Sequence, residues 1–280
     1  LPTNNLPQIN ILGVGINAIT LPQAVEQIAG WIDTRTRQYV SVCNVHTIME
    51  CQHNEAMRQA VNRAGLTTPD GMPLVWLGRW LAQLEVNRVY GPDLMLALCE
   101  LSGERGYTHY FCGGALGVPE LLAERLQVKF PNLRVVGTYS PPFHPLSPAE
   151  ESQLIERLNR ARPDIIWVGL GTPKQDLWMA RYRERLNAPV MIAVGAAFDF
   201  FSGRVPQAPR WMQRSGLEWF YRLSQEPQRL WYRYLIYNPW FVMLLMAQGL
   251  GLKHYPLPSG PLPSAHAVPQ PHSVSDATGT

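Results

Sequence analysis

Charge is scarce in this 280-residue chain: Asp, Glu, Lys and Arg make up 16% of it, against 46% apolar residues. So thin a charged coat points to some apolar surface that meets lipid or a partner rather than water. The net charge is only +3, and no Lys/Arg run or RNA-binding aromatic pattern accompanies it, which excludes a nucleic-acid partner. Cys43, Cys51, Cys99 and Cys112 are widely spaced, with no C-x-x-C or Cys/His pairing; a zinc site is excluded, and reduced thiols in a cytosolic chain are expected. There is no D-x-D, and the acidic residues do not cluster as a cation on a nucleotide diphosphate would require, so no metal and no cofactor are expected. G-x-S-x-G is missing, which argues against a hydrolase, and no run has Walker A spacing, which argues against an ATPase. Residues 1–10 lack a basic-then-apolar leader, so secretion is not expected.

What is present is an alternation of short β-branched runs with segments of helical apolar spacing. Strands are expected near residues 9–14, 39–43, 107–112, 134–138, 165–169 and 190–194. Helices are expected near 21–32, 47–64, 92–105, 118–130, 148–162 and 174–186. That order predicts an α/β fold, a Rossmann-like, mainly parallel sheet with helices on both faces. After Gly195 the strands stop. Residues 209–225 and 227–252 read as helices dense in Trp, Tyr and Arg, so a catalytic α/β domain over 1–205 and a helical, membrane-proximal appendage over 206–253 are expected. Residues 254–280, rich in Pro, Ser, His and Gly, carry too little apolar surface to repay their ordering entropy and read as a disordered tail. Residues 235–252 are strongly apolar but interrupted by Asn238, Pro239 and Gln248, marginal for spanning a bilayer of roughly 30 Å. With Arg222, Arg229 and Arg233 among Trp219, Phe220, Tyr221, Trp231 and Tyr232, they suit an interfacial helix; a core-packing helix with a snorkelling Arg face is the other reading.

Open α/β sheets bind ligands beyond the carboxyl ends of their strands, and four runs fall there. Gly113-Gly114 ends a strand and opens a helix, where backbone N–H groups can approach a diphosphate; a turn that needs glycine only for sterics explains it as well. The run departs from G-x-G-x-x-G with no acidic partner following, which disfavours an oxidoreductase. Gly171-Thr172-Pro173-Lys174-Gln175 reads as a helix start with Thr172 as N-cap and Pro173 at the first helical position, Lys174 adding charge and Gln175 able to bond a sugar hydroxyl or a uracil edge. Thr68-Pro69-Asp70-Gly71 puts a lone carboxylate in a turn. Asp70 is the candidate base for an attacking hydroxyl, an ordinary Asp-Gly turn being the alternative. Asn44 follows the strand at 39–43 and is expected at the same edge, with His46 secondary.

Taken together, T-P-D-G-M-P (68–73), Y-G-P-D-L-M (90–95), F-C-G-G (111–114), P-P-F (141–143), G-L-G-T-P-K-Q (169–175), V-G-A-A-F-D-F-F-S-G (194–203), A-P-R-W-M (208–212) and L-E-W-F-Y-R-L (217–223) resemble the WecG/TagA/CpsF glycosyltransferases in order and spacing, over roughly residues 9–235. The resemblance implies an inverting, metal-independent transferase. It would move an N-acetylmannosamine-like sugar, or its uronic acid, from a UDP donor to a polyprenyl-diphosphate-linked acceptor in cell-surface polysaccharide synthesis, at the inner face of the cell membrane. By motif, Asp70 matches the family's base, and Gln175 and Asp199 match residues near the donor pocket. Arg222, Arg229 and Arg233 match an appendage that reaches over the site and meets the membrane. The resemblance also suggests dimers or trimers that mask the apolar surface. Two departures stand out. Where the family often has T-x-N, this chain reads Val42-Cys43-Asn44, with Ser41 as a possible substitute hydroxyl, and where Arg-Ala-Pro is common it has Gln207-Ala208-Pro209. A non-catalytic nucleotide-sugar sensor or scaffold on the same fold is the main alternative, and a metal-dependent nucleotidyl or phosphosugar transferase is a second.

Overall fold

The computed structural model describes residues 6–142 and 144–257. The chain opens with a hairpin, β1 (Gln8–Ile11) and β2 (Val14–Asn17), where a single strand was expected. Its two-residue turn places Leu12 at φ 53° and Gly13 at φ 80°, the left-handed pair that matches the twist of a tight hairpin. Glycine supplies half of that conformation without strain.

Next come α1 (Leu21–Asp33), β3 (Gln38–Cys43), α2 (Val45–His53), α3 (Glu55–Asn62), β4 (Leu66–Pro69), α4 (Met72–Leu81) and α5 (Gly91–Arg105). They are followed by β5 (Thr108–Gly113), α6 (Val118–Lys129), β6 (Arg134–Tyr139), α7 (Pro148–Ala161), β7 (Ile165–Gly169), α8 (Lys174–Tyr182), β8 (Val190–Ala193) and the short α9 (Ala197–Phe201). The single helix expected over 47–64 is two. Asn54 leaves helical geometry at φ −134° and accepts from the Met57 N–H, because its short amide caps a new helix better than it continues an old one. The run around Asp70 is not only a turn, since β4 precedes it and α4 follows.

Six strands form a wholly parallel sheet in the order β4-β3-β8-β7-β5-β6. Alternation along β7 shows how both faces are covered: Ile165 and Trp167 join a core with α1, α5, α6 and α9, while Ile166 and Val168 join another with α7 and α8. β7 and β8, in the interior of the sheet, are apolar on both sides for this reason. The expected Rossmann-like sheet with helices on both faces is what forms. All four cysteines are free and buried.

Beyond the sheet lie α10 (Arg210–Arg214), α11 (Glu218–Gln225), α12 (Pro227–Trp231), a π-helical turn (Tyr232–Ile236) and α13 (Tyr237–Gly249). The two long helices expected here are therefore broken. Gly216, at φ 76°, separates α10 from α11. Pro239 has no N–H for the carbonyl four residues back, and the widened π turn lies just before it. α13 packs Phe241 into a third core shared with the hairpin, α2 and α4. Its end is fastened there: Gln248 accepts from the Leu12 N–H at 2.9 Å and donates to the Asn10 carbonyl at 3.1 Å. Asn10 in turn donates to the Tyr255 carbonyl, and Tyr255 is buried. The disordered tail expected from residue 254 thus begins with packed residues, and 258–280 lie outside the described residues, as does Phe143. Among the described residues no helix is long and apolar enough to cross a membrane.

Candidate active site

A cavity of about 640 Å³ opens at the carboxyl ends of β3, β4, β7 and β8, roofed by the helices after residue 209. Parallel strands deliver their following residues to one edge, and the position of Asp70 follows from that. Its N–H continues the β3–β4 pairing by donating to the Cys43 carbonyl at 2.7 Å, while Gly71 starts α4 behind it. The carboxylate is thus held by sheet on one side and helix on the other, with 16% of its side chain exposed. Burial pushes its pKa up to about 6; Arg88 and Asn44 pull it down, and Glu218 adds to the rise. A carboxylate raised this far is still ionised near neutrality and is a better base than an exposed one.

Arg88 was not singled out from the sequence. It lies two residues before the Y-G-P-D-L-M run, and only a third dimension reveals its partners. Its Nε donates to the Asp70 carbonyl, and its Nη2 donates to Asp70 Oδ1 at 3.4 Å and to Glu218 Oε2 at 2.5 Å. The guanidinium also lies 4.0 Å from the centre of the Tyr90 ring. Glu218 and Tyr90 also line the cavity and were likewise not singled out.

Facing this group are Arg222, Arg229 and Arg233, all on the cavity wall. Arg233 is deeply buried, and burial, together with Arg222 nearby, lowers its pKa. It donates to Asn44 Oδ1 at 3.4 Å, yet its Nε and that of Arg222 have no hydrogen-bond partner. Buried guanidinium donors left unpaired beside a cavity form a receptor for an anion. Arg229 is more exposed and pairs with Glu226 at 2.6 Å. His46 also lines the cavity, stacked on Tyr237. Burial, then Arg233 and Arg222, lower its pKa to about 3. The imidazole is therefore neutral, and its 3.7 Å approach to Glu50 is not an ion pair.

The opposite wall is built from backbone and small side chains: Gly169 to Thr172, Val194 to Ala197, and Asp199. Gln175 is buried with its Oε1 unpaired and faces Gly195, where an added Cβ would lie 3.4 Å from it. Asn44, Asp70, Gly171, Thr172, Gln175, Asp199, Arg222, Arg229 and Arg233 are thus brought together as expected.

Four expected residues are not on this wall. Thr68 is fully buried within β4 and does not reach the cavity, since it lies inside the strand whereas Asp70 lies just past its end. Gly113 lies against β7, where a Cβ would come within 2.5 Å of the Gly169 backbone, and Gly114 spends its N–H on the Gly169 carbonyl. Steric need explains these glycines, Gly113 against the β7 backbone and Gly114 against Val118, and neither lines the cavity. Lys174 is exposed and points off the cavity, because α8 begins at Lys174 with Pro173 as its cap rather than at Pro173 with Thr172 as cap. Ser41 does not replace the missing hydroxyl either. It faces the other side of the sheet and donates to Asp176 Oδ1 at 2.6 Å, inside the fold. Among the described residues, no three His, Cys, Asp or Glu side chains converge as a metal site would require.

The chain matches the glycosyl transferase WecG/TagA/CpsF family over residues 9–255. It is also 26% identical, over 226 residues, to an N-acetylglucosaminyldiphosphoundecaprenol N-acetyl-beta-D-mannosaminyltransferase of Bacillus spizizenii strain W23; the match covers 80% of this chain and 86% of that protein.

Proposed function

Because the chain belongs to the WecG/TagA/CpsF glycosyltransferase family, we propose that it transfers an N-acetylmannosamine-type sugar, with inversion, from a UDP donor to a sugar carried on a polyprenyl diphosphate. The relative's name supports the sugar transferred and the acceptor class. The observation that carries the mechanism is that one buried carboxylate, Asp70, shares the lining of one open cavity with Arg222, Arg229 and Arg233.

In this reading the acceptor hydroxyl enters beside Asp70 and attacks the anomeric carbon as its proton passes to the carboxylate. The bond to the β-phosphate oxygen breaks on the opposite face, and the charge that develops on UDP falls to the arginines that line the cavity. Gln175 and Asp199 hold donor hydroxyls. The neutral His46 is an acceptor or donor of one hydrogen bond without adding charge. Guanidinium groups do here what a divalent cation does in other nucleotide-sugar enzymes.

The apolar side chains left outside include Phe220, Trp231 and Leu235, on the same elements as the arginines, and Trp240, Met243 and Met246 on α13, which follows them. They support docking on the inner face of the membrane, where the acceptor's lipid resides. Acceptor-dependent UDP release is the test. Asp70→Asn is expected to cut kcat by roughly 10³-fold and to leave UDP binding within about twofold, and a chelator is expected to leave the wild-type rate unchanged. Undiminished turnover of the variant would overturn the assignment.

A further inference from the structure

We propose that Glu218 is a positioning residue for the transfer: from α11 it draws the Arg88 guanidinium away from Asp70, so that the carboxylate is free to act as base only while α11 is seated on the sheet edge. This rests on the reading of Asp70 as the base.

The geometry is that of one cation shared unequally by two carboxylates. Arg88 Nη2 lies 2.5 Å from Glu218 Oε2 but 3.4 Å from Asp70 Oδ1. The rest of Arg88 has no room to choose: its Nε is spent on the Asp70 carbonyl, and its plane lies over Tyr90. Tyr90 fixes the other end by donating its hydroxyl to Glu218 Oε1 at 3.0 Å. All three charged side chains are mostly buried, at 15% to 17% exposure, where pairing of charges matters far more than at a wetted surface.

The remaining groups facing Asp70 are Asn44 and Cys43 from the end of β3, Tyr90 before α5, Arg222 from α11 and Arg233 from the π turn. Burial raises the pKa values of Cys43 and Tyr90, so both are neutral. The local balance therefore lies among two carboxylates and three guanidinium groups. With Glu218 withdrawn, Arg88 is left with one carboxylate to pair with, and a carboxylate that owns a guanidinium is a poor proton acceptor. Seating of the segment that brings the phosphate-binding arginines would by the same contact release the base.

The experiment compares wild type, Asp70→Asn and Glu218→Gln. It follows kcat from about pH 5 to about pH 9, together with a carbon-13 carboxyl titration of Asp70 in the substrate-free protein, its signal assigned by its loss in Asp70→Asn. In Glu218→Gln the acid limb of kcat and the Asp70 titration are both expected to move down by about one pH unit. The plateau kcat should fall about tenfold as the base weakens, with donor KM within about twofold. An unmoved Asp70 titration overturns the proposal, including when kcat falls, since a purely structural loss lowers the rate without shifting the carboxyl. Should the glutamine variant unfold in a thermal melt, Glu218→Asp, which keeps the charge but retracts it, is expected to give a smaller downward shift, and no shift refutes the coupling. Full turnover of Asp70→Asn would instead remove the base assignment itself, whatever Glu218 does.

Discussion

The two walls of the cavity are made in different ways. On the sheet side every contributing strand is buried on both faces, and the wall consists of strand ends, glycines and one carboxylate set by backbone pairing. On the appendage side α11 has no fully buried residue, and this segment sets Arg222, Arg229 and Arg233 on the cavity while Trp231 and Trp240 are exposed. On the proposed mechanism the sheet half supplies the base and the shape of the donor pocket, and the appendage half supplies the positive charge and the apolar surface. The contrast teaches that, on the proposed mechanism, proton removal and leaving-group stabilisation fall to parts of the chain that are packed to different degrees.

The sharpest way to break that division is to strip the cations while sparing the base. Arg222→Ala with Arg233→Ala should lower kcat by about 10²- to 10³-fold and weaken UDP binding as well, whereas Asp70→Asn spares UDP. Isothermal titration with UDP separates the two patterns, and equal UDP affinity in the double variant would show that the arginines do not face the diphosphate. A smaller effect is expected at the outer face. Trp240→Ser with Met243→Ser should reduce co-sedimentation with anionic vesicles about tenfold, and an unchanged bound fraction would place the membrane contact elsewhere. The smallest effect is thermodynamic. The carboxyl of Asp70 is raised to about 6 in the folded chain from an ordinary 3.8, so the native state holds its proton longer than the unfolded chain does. Its contribution is fully present below about pH 4 and is lost as the pH rises through about 6. Above that, the ionised group costs about 1–3 kcal/mol. Asp70→Asn should therefore melt a few degrees higher than wild type at pH 8 and no higher at pH 4, and an equal gain at both values would assign the difference to something other than ionisation.

Much of the sheet was legible, because runs such as Ile165-Ile166-Trp167-Val168 are apolar on both faces and have few other uses. Asp70 and Gln175 were legible as polar residues just past strands. The hairpin turn was hidden because Leu12 adopts a left-handed conformation that residue type does not advertise. Arg88 and Glu218 were hidden for a different reason: they are far apart in the chain, and what marks them is the distance between them. Gly113 was read two ways, because a glycine needed for a ligand and a glycine needed for a neighbouring strand look alike until the neighbour is in view, and the closeness of Gly169 favours the second.

The hydrogen bonds of Gln248 to the first hairpin give the arginine-bearing segment a second abutment. It leaves the sheet after α9 and is moored again at Asn10 and Leu12, so it is a bridge and not a free arm. A bridge can sag or arch but cannot swing clear, and on the proposed function exchange of UDP for a new donor must be accommodated within the span. Cutting the far mooring with Gln248→Ala would turn the bridge into a cantilever, and the two ends of the described chain would lose the clasp that now closes it on itself.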